Sequence, residues 1–313
     1  MESVPSTSKI EFDGVTTVLG DEPVLHRLRL SVPDGQVTVI LGQPGCGKTT
    51  LLRHLVGLLP PTGGSVRLDG HDVWSLNTAE LASARGGIAA VVGGAQLSDT
   101  CLFSSMNVYE NVACVVRRTG AMDDEVRATT TQLMREFGLD AFAELFPEEV
   151  PAGARRRVVL VQALMSGMPL IVLDDVDTAF HPRYTSAFVR AIKSLNEKAR
   201  ATVLIATRDL NFAREVAHEV AILWNGKITS HGPPDVLLRN VRTEEELGRR
   251  YFRPDLTGSA QKDAMDGDLR DGRPVRRFRA IKQDYAVWCV VVLLLLVIVF
   301  VLWSSAGTVF GGQ

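Results

Sequence analysis

The sequence lacks the patterns that mark several large functional classes. Its 34 basic and 36 acidic residues leave a net charge of only −2, so no overall basic field points to nucleic acid. The four cysteines, Cys46, Cys101, Cys114 and Cys289, fall at no paired or metal-ligand spacing. That argues against a disulfide framework or a zinc ribbon and fits a reducing cytosol. The six histidines are scattered without a zinc pattern, so each is by default a surface or packing residue. There is no internal repeat. What is present is 313 residues, 46% of them hydrophobic, enough for one large domain or two small ones around a substantial core.

One stretch carries specific chemistry. Gly42-Gln43-Pro44-Gly45-Cys46-Gly47-Lys48-Thr49 fits G-x-x-x-x-G-K-[ST], the phosphate-binding loop. An apolar strand, Val37 to Leu41, runs into it, and a helical segment over Thr50 to Leu59 runs out. In that context successive backbone N–H groups cradle phosphate oxygens, helped by the positive end of the helix. Lys48 is expected to reach the β- and γ-phosphates, with Thr49 and Asp174 holding Mg²⁺. Asp174 ends the apolar strand Leu170 to Leu173 and is followed by Asp175. Cys46, beside Lys48 at a helix N-terminus, is expected to have a lowered thiol pKa, to label with maleimide and to be protected by MgATP.

The rest of the domain reads as α/β. Ile10 to Val32 reads as short strands with a turn near Gly20-Asp21. Ser65 to Leu68, Ile88 to Val92, Val203 to Ala206 and the hairpin around Asn225-Gly226 read as further strands. Helices are expected over Thr78 to Ala84, over Asp123 to Phe137 with Asp123 as cap, from about Pro151 to Met165, and over Pro182 to Leu195. Short apolar strands alternating with helices indicate a parallel sheet covered on both faces.

The C-terminus differs from the rest. Residues 253–283 are rich in Gly, Asp, Arg and Lys and read as a charged flexible linker. Ala286 to Trp303 is uninterrupted apolar sequence, extended without charge to Ala306, and residues 284–306 are long enough to cross a bilayer as one helix. Tyr285, Trp288 and Trp303 sit where interfacial aromatics belong. Arg273, Arg276, Arg277, Arg279 and Lys282 precede the run and no Lys or Arg follows. The positive-inside rule then places residues 1–252 in the cytoplasm, with 307–313 a short tail on the far side of the cell membrane.

The order of these motifs resembles the ATP-binding subunits of ABC transporters, over about residues 9–238. Phe103-Ser104-Ser105-Met106-Asn107-Val108-Tyr109-Glu110-Asn111-Val112, with Val32-Pro33-Asp34-Gly35 and Val56-Gly57-Leu58-Leu59, is similar to the ATPases of Mce-type lipid importers. The resemblance implies a P-loop domain with a mostly parallel sheet, an antiparallel β subdomain and a helical signature subdomain. It also implies ATP and Mg²⁺ as ligands, and a separate transmembrane permease, here for lipid or other hydrophobic cargo. It further implies a homo- or heterodimer of ATP-binding subunits, each ATP lying between one phosphate loop and the other subunit's LSGGQ signature. Phe103, Met106 and Tyr109 would then be candidate permease contacts.

The sequence departs from the family pattern where hydrolysis is carried out. The signature position reads Val150-Pro151-Ala152-Gly153-Ala154. Pro151 has no hydroxyl and no N–H for a partner's γ-phosphate, although it suits the first turn of a helix. Only Gly153 of the two glycines is kept. Arg155, Arg156 and Arg157 follow, expected as a solvated basic face. Asp175 stands at the catalytic Glu position, one methylene shorter. Arg208 stands at the switch histidine, where it cannot relay a proton as neutral imidazole does. His181 stands at the usual D-loop Asp. Gln96 is the candidate loop glutamine, two residues early, with Ser98 at the expected spot. Thr17 or Val18 stands at the adenine-stacking place. The expectation is a chain that binds MgATP through Gly42 to Thr50 and turns it over slowly or not at all.

Overall fold

The computed structural model describes residues 8–93, 102–176 and 182–252. Gln96, Ser98, His181, the linker, the apolar run and the tail lie outside the described residues. Among the described residues no helix is long and apolar enough to cross a membrane.

Two sheets organise the domain. One has six strands in the order β10-β9-β3-β8-β7-β6, where β3 is Val37–Leu41, β6 Ile88–Val91, β7 Leu170–Asp174, β8 Thr202–Thr207, β9 Glu219–Trp224 and β10 Lys227–Gly232. All pairings except β9–β10 are parallel. The other is antiparallel, in the order β2-β1-β4-β5, from β1 (Ser8–Leu19), β2 (Glu22–Pro33), β4 (Gly63–Leu68) and β5 (His71–Asp72). The helices are α1 (Lys48–Leu55), α2 (Thr78–Gly86), α3 (Val108–Arg117), α4 (Asp123–Glu136), α5 (Ala152–Leu164), α6 (Pro182–Ala199), α7 (Leu210–Val216), α8 (Pro234–Leu237) and α9 (Glu244–Tyr251).

The central strands are buried on both faces, and their alternation divides the core in two. Val37, Val39 and Leu41 of β3, Ile171 and Leu173 of β7, and Val203 and Ile205 of β8 pack with α3 to α7. Their alternates, Ile40, Leu170, Val172, Leu204 and Ala206, pack with α1 and the antiparallel sheet. A strand sequence such as Val-Thr-Val-Ile-Leu is apolar nearly throughout because neither face meets water.

Three local readings change. The segment Ile10 to Val32 forms two strands of 12 residues each, kept in one sheet by register shifts around Gly14 to Thr17. The helix after the phosphate loop starts at Lys48 and stops at Leu55, short of Leu59. Gly57 adopts φ +70°, and the N–H groups of Gly57 and Leu58 turn back to the His54 and Arg53 carbonyls at 3.2 and 2.9 Å, a glycine-terminated helix end. Asp123 is the first residue of α4, not its cap; Met122 is the cap residue and makes no side-chain capping bond.

Candidate functional site

The site begins where β3 stops. The chain leaves the sheet at Gly42, whose missing side chain is required: a Cβ there would sit 2.5 Å from the Leu223 carbonyl oxygen and 2.6 Å from Cys46 Sγ. The loop then turns through Gly45 at φ +80° and Gly47 at φ +106°, values that favour glycine. Gly47 is the N-cap of α1. It offers no side-chain bond, and the first turn carries no acidic residue, so the leading N–H groups of α1 are left for an anion.

Lys48 is only 6% exposed and curls over its own loop. Its Nζ donates to the Gly42 and Gln43 carbonyls at 2.7 and 3.0 Å, which holds the loop closed on itself with the ammonium at its mouth. Thr49 donates its hydroxyl proton to Asp174 Oδ2 at 2.7 Å, and the Gly93 N–H donates to the same oxygen at 3.2 Å. Burial, followed by the charge of Asp175, pushes the Asp174 carboxyl above its usual range, against the pull of Thr49, Gly93 and Lys48.

These groups surround one cavity of about 400 Å³, lined by Val24, Pro44, Gly45, Gly47, Lys48, Thr49, Thr50, Asp175 and Arg208. Sequence positions 24, 44, 45, 47–50, 175 and 208 are therefore brought together, with Asp174 beneath Thr49. Arg208 projects exposed between β8 and α7. Asp175 takes φ +49°, a left-handed conformation unusual for a residue with a side chain. A second, shallower depression, lined by Arg127, Thr131 and Arg135 of α4 with their neighbours, converges on no comparable chemistry.

The donor set fits Mg²⁺. Asp174 Oδ1 is buried and has no hydrogen-bond partner among the described residues, and it lies on the carboxylate that receives the Thr49 hydroxyl. Among the described residues no cluster of three or more His, Cys, Asp or Glu could hold a metal by itself. That suits an ion bound through one carboxylate, a hydroxyl and substrate phosphates.

Several sequence expectations are corrected. Cys46 is 8% exposed, and burial pushes its thiol up despite Lys48 and the loop amides; the expected lowering does not occur. The arginine run is no solvated face. Arg156 is buried, and its Nη2 donates to the carbonyls of Asp174 and Asp175. Arg155 bonds the Val150 carbonyl, and Arg157 stacks its guanidinium 5.1 Å from the Tyr184 ring centre. Of the two adenine-side candidates, Thr17 is buried with its hydroxyl 2.6 Å from His54 Nε2, whereas Val18 is exposed. Pro151 and Gly153 are exposed at the start of α5 and do not line this cavity. Val24 and Gly93 were invisible to motif reading, because each acts from outside the motifs, and Arg156 was named only as part of a solvated run.

The strand–loop–helix, the Lys48 ammonium and the Thr49–Asp174 pair define a P-loop nucleotide-binding domain. The comparisons narrow the class. The family profile described as ABC transporter matches residues 25–178. The chain is 33% identical over 252 residues to the probable ribonucleotide transport ATP-binding protein mkl of Mycobacterium tuberculosis, covering 80% of this chain and 68% of that protein. It is 31% identical over 258 residues to the methionine import ATP-binding protein MetN of Cereibacter sphaeroides, covering 82% and 70%. Among solved structures, an ATP-binding cassette dimer bound to ADP and Pi matches with TM-score 0.60 and 26% identity, covering 72% of this chain and 98% of that one. CbiO1 of Clostridium perfringens, part of an ABC transporter complex, matches in fold with TM-score 0.59 at 20% identity, covering 83% and 99%. The chain belongs to the ABC transporter ATP-binding family, whose domains bind ATP, typically with Mg²⁺.

Proposed function

We propose that this chain is the ATP-binding subunit of an ABC transporter. In this reading residues 1–252 bind MgATP in the cytoplasm, and residues 284–306 anchor them to the cell membrane through the charged linker 253–283. A separate permease supplies the pathway, since one membrane helix cannot. The single observation that carries the reading is the cavity that gathers Lys48, Thr49 and Asp175 over the buried Asp174 carboxylate. Lys48 and the loop amides hold the triphosphate, and Mg²⁺, when bound by Thr49 and Asp174, supplies charge neutralisation at the β- and γ-phosphates. Closure of two such subunits over ATP would drive the permease.

The cargo is lipid or another hydrophobic molecule. Support comes from the likeness of the 103–112 stretch to Mce-type importers and from Phe103, which is 55% exposed on a loop where a permease could dock. Met106 and Tyr109 are half-buried, and Tyr109 packs on the core, so Phe103 is the stronger contact. The relative mkl is named for ribonucleotide transport, which makes ribonucleotides the competing cargo for an uptake assay.

Hydrolysis is weak in this proposal. Asp175 sets a base back by one methylene, and a misplacement of about 1 Å can remove roughly a hundredfold in rate. Arg208 borders the cavity without a proton acceptor. Pro151 begins α5 with no side-chain capping bond and has no N–H for a partner's nucleotide. The first two changes weaken the site at this chain's own loop, and the third weakens the opposite site, so an intact partner could not restore both. Steady-state phosphate release by the purified dimer tests this: far below one turnover per second is expected, whereas about 1–10 per second would contradict it. Those same residues favour a second reading, an ATP-sensing scaffold subunit. Co-purification of a second, active ATPase with ATP binding but no turnover here would select it.

A further inference from the structure

Three arginines follow the start of α5, and the middle one is the most buried. Arg156 is 6% exposed. Its Nη2 donates to two successive carbonyl oxygens, Asp174 at 2.8 Å and Asp175 at 3.1 Å. These residues carry the two carboxylates of the site. A guanidinium out of water is strongly unfavourable unless well bonded, and an apolar side chain of similar volume fills such a space without that penalty. Here the penalty is not even fully offset, because Nε is buried without a hydrogen-bond partner among the described residues. Packing alone does not account for an arginine at this place.

The backbone it grips does. Asp175 is held at φ +49°, which a residue with a side chain keeps only when its surroundings over-determine it. Its N–H is bonded to the Ala206 carbonyl of β8 at 2.9 Å, and its own carbonyl is taken by Arg156. We propose that Arg156 is a positioning residue that clamps the Asp174–Asp175 backbone, setting the direction in which both carboxylates meet a Mg²⁺-bound nucleotide. Arg156 is the fifth residue of α5. The exposed first turn, with Pro151 and Gly153, is therefore joined through one short rigid segment to the end of β7. Any partner seated on that first turn acts on this chain's own carboxylates through Arg156. The inference rests on the cavity being an MgATP site.

The test uses the full-length chain in detergent and the variant Arg156→Met, which keeps volume and removes the bonds. Two quantities are read: the affinity for a fluorescent ATP analogue in EDTA and in Mg²⁺, and amide exchange along β7. The expected result is a gain in affinity from Mg²⁺ that falls about 10–100-fold, the range for loss of a group that orients a metal ligand. Affinity in EDTA and the melting temperature stay close to wild type. The Asp175 amide exchanges at least tenfold faster, while Ile171 to Leu173 keep their protection. Arg156→Lys, whose ammonium can reach one carbonyl, recovers part of the gain. An unchanged Mg²⁺ gain with unchanged exchange at Asp175 overturns the proposal, as does an equal loss of affinity with and without Mg²⁺. If Arg156→Met does not fold, Arg156→Gln is read by the same two criteria. A wild-type chain without affinity for MgATP removes the reading beneath the proposal, while exchange at Asp175 still decides the clamp.

Discussion

Cys46 shows how a motif can be read correctly and one of its residues wrongly. The sequence places it beside a lysine and at a helix N-terminus, both of which favour thiolate. Its side chain instead packs inward beneath the loop, with Sγ filling the space that Gly42 leaves open, and desolvation outweighs both neighbours. We expect maleimide to label Cys46 in the folded chain at least tenfold more slowly than in urea, with or without MgATP, as read by site-resolved mass spectrometry. Rapid native labelling that MgATP suppresses would restore the sequence-based view. The placement of Lys48, Thr49 and Asp174 around one cavity was legible because it follows from spacing and flanking pattern. Burial at Cys46, the inward turn of Thr17 and the carbonyl clamp of Arg156 were not, because each depends on which face a side chain takes in three dimensions.

At the level of elements, α1 connects the site to the antiparallel sheet. His54 on α1 is fully buried; one ring nitrogen meets the Thr17 hydroxyl of β1 and the other the Leu59 carbonyl, while Trp74 Nε1 donates to its carbonyl at 3.1 Å. Burial lowers its pKa below the unfolded value of 6.5, against the pull of the Leu59 carbonyl. The unfolded chain therefore binds the proton first on acidification, so stability is full above about pH 6.5 and falls as pH drops toward the lower folded pKa. Each pH unit in that window costs up to about 1.4 kcal/mol, or a few degrees of melting temperature. Thermal melts between pH 7.5 and 5.5 should show this fall, reduced in His54→Gln. His26 is shifted the same way, by burial and then Lys227, so a residual slope is expected; an identical slope in His54→Gln would contradict the assignment. A second element, the loop before α3, is tied down by Asn111. Its buried amide donates to the Phe103, Met106 and Asn107 carbonyls and accepts from the Phe103 N–H, all at 2.9–3.0 Å. Asn111→Ala removes the partner of the Met106 carbonyl and of the Phe103 N–H, while the Phe103 and Asn107 carbonyls keep the Met106 and Asn111 N–H groups, and should cost about 1–3 kcal/mol in a denaturant titration. Recovery of a permease by pull-down should fall while ATP affinity is unchanged; undiminished recovery would separate Phe103 from docking. Element types were readable from period and punctuation, as for β3, β7 and α5. Lengths were not: the 12-residue β1 and β2 contain bulges that break their alternation, and α1 ends early because Gly57 turns it.

For the whole molecule, the sheet order matters more than any single motif. The parallel pairing of β3 with β8, and of β8 with β7, puts the phosphate loop, Arg208 and Asp174–Asp175 together at the C-terminal ends of three adjacent strands, although they are far apart in sequence. The fold class was legible from the alternation of strands and helices. The convergence of positions 48, 175 and 208 on one cavity was legible only through family resemblance, because strand order leaves no local trace in sequence, and Val24 was not legible at all. The central claim is that this cavity binds MgATP through Lys48. Isothermal titration calorimetry of the full-length chain with MgATP, beside the variant Lys48→Ala, tests it most directly. Saturable binding by the wild type, weakened at least tenfold in Lys48→Ala, is the predicted result; no saturation by folded wild-type protein, or equal binding by both, would contradict it.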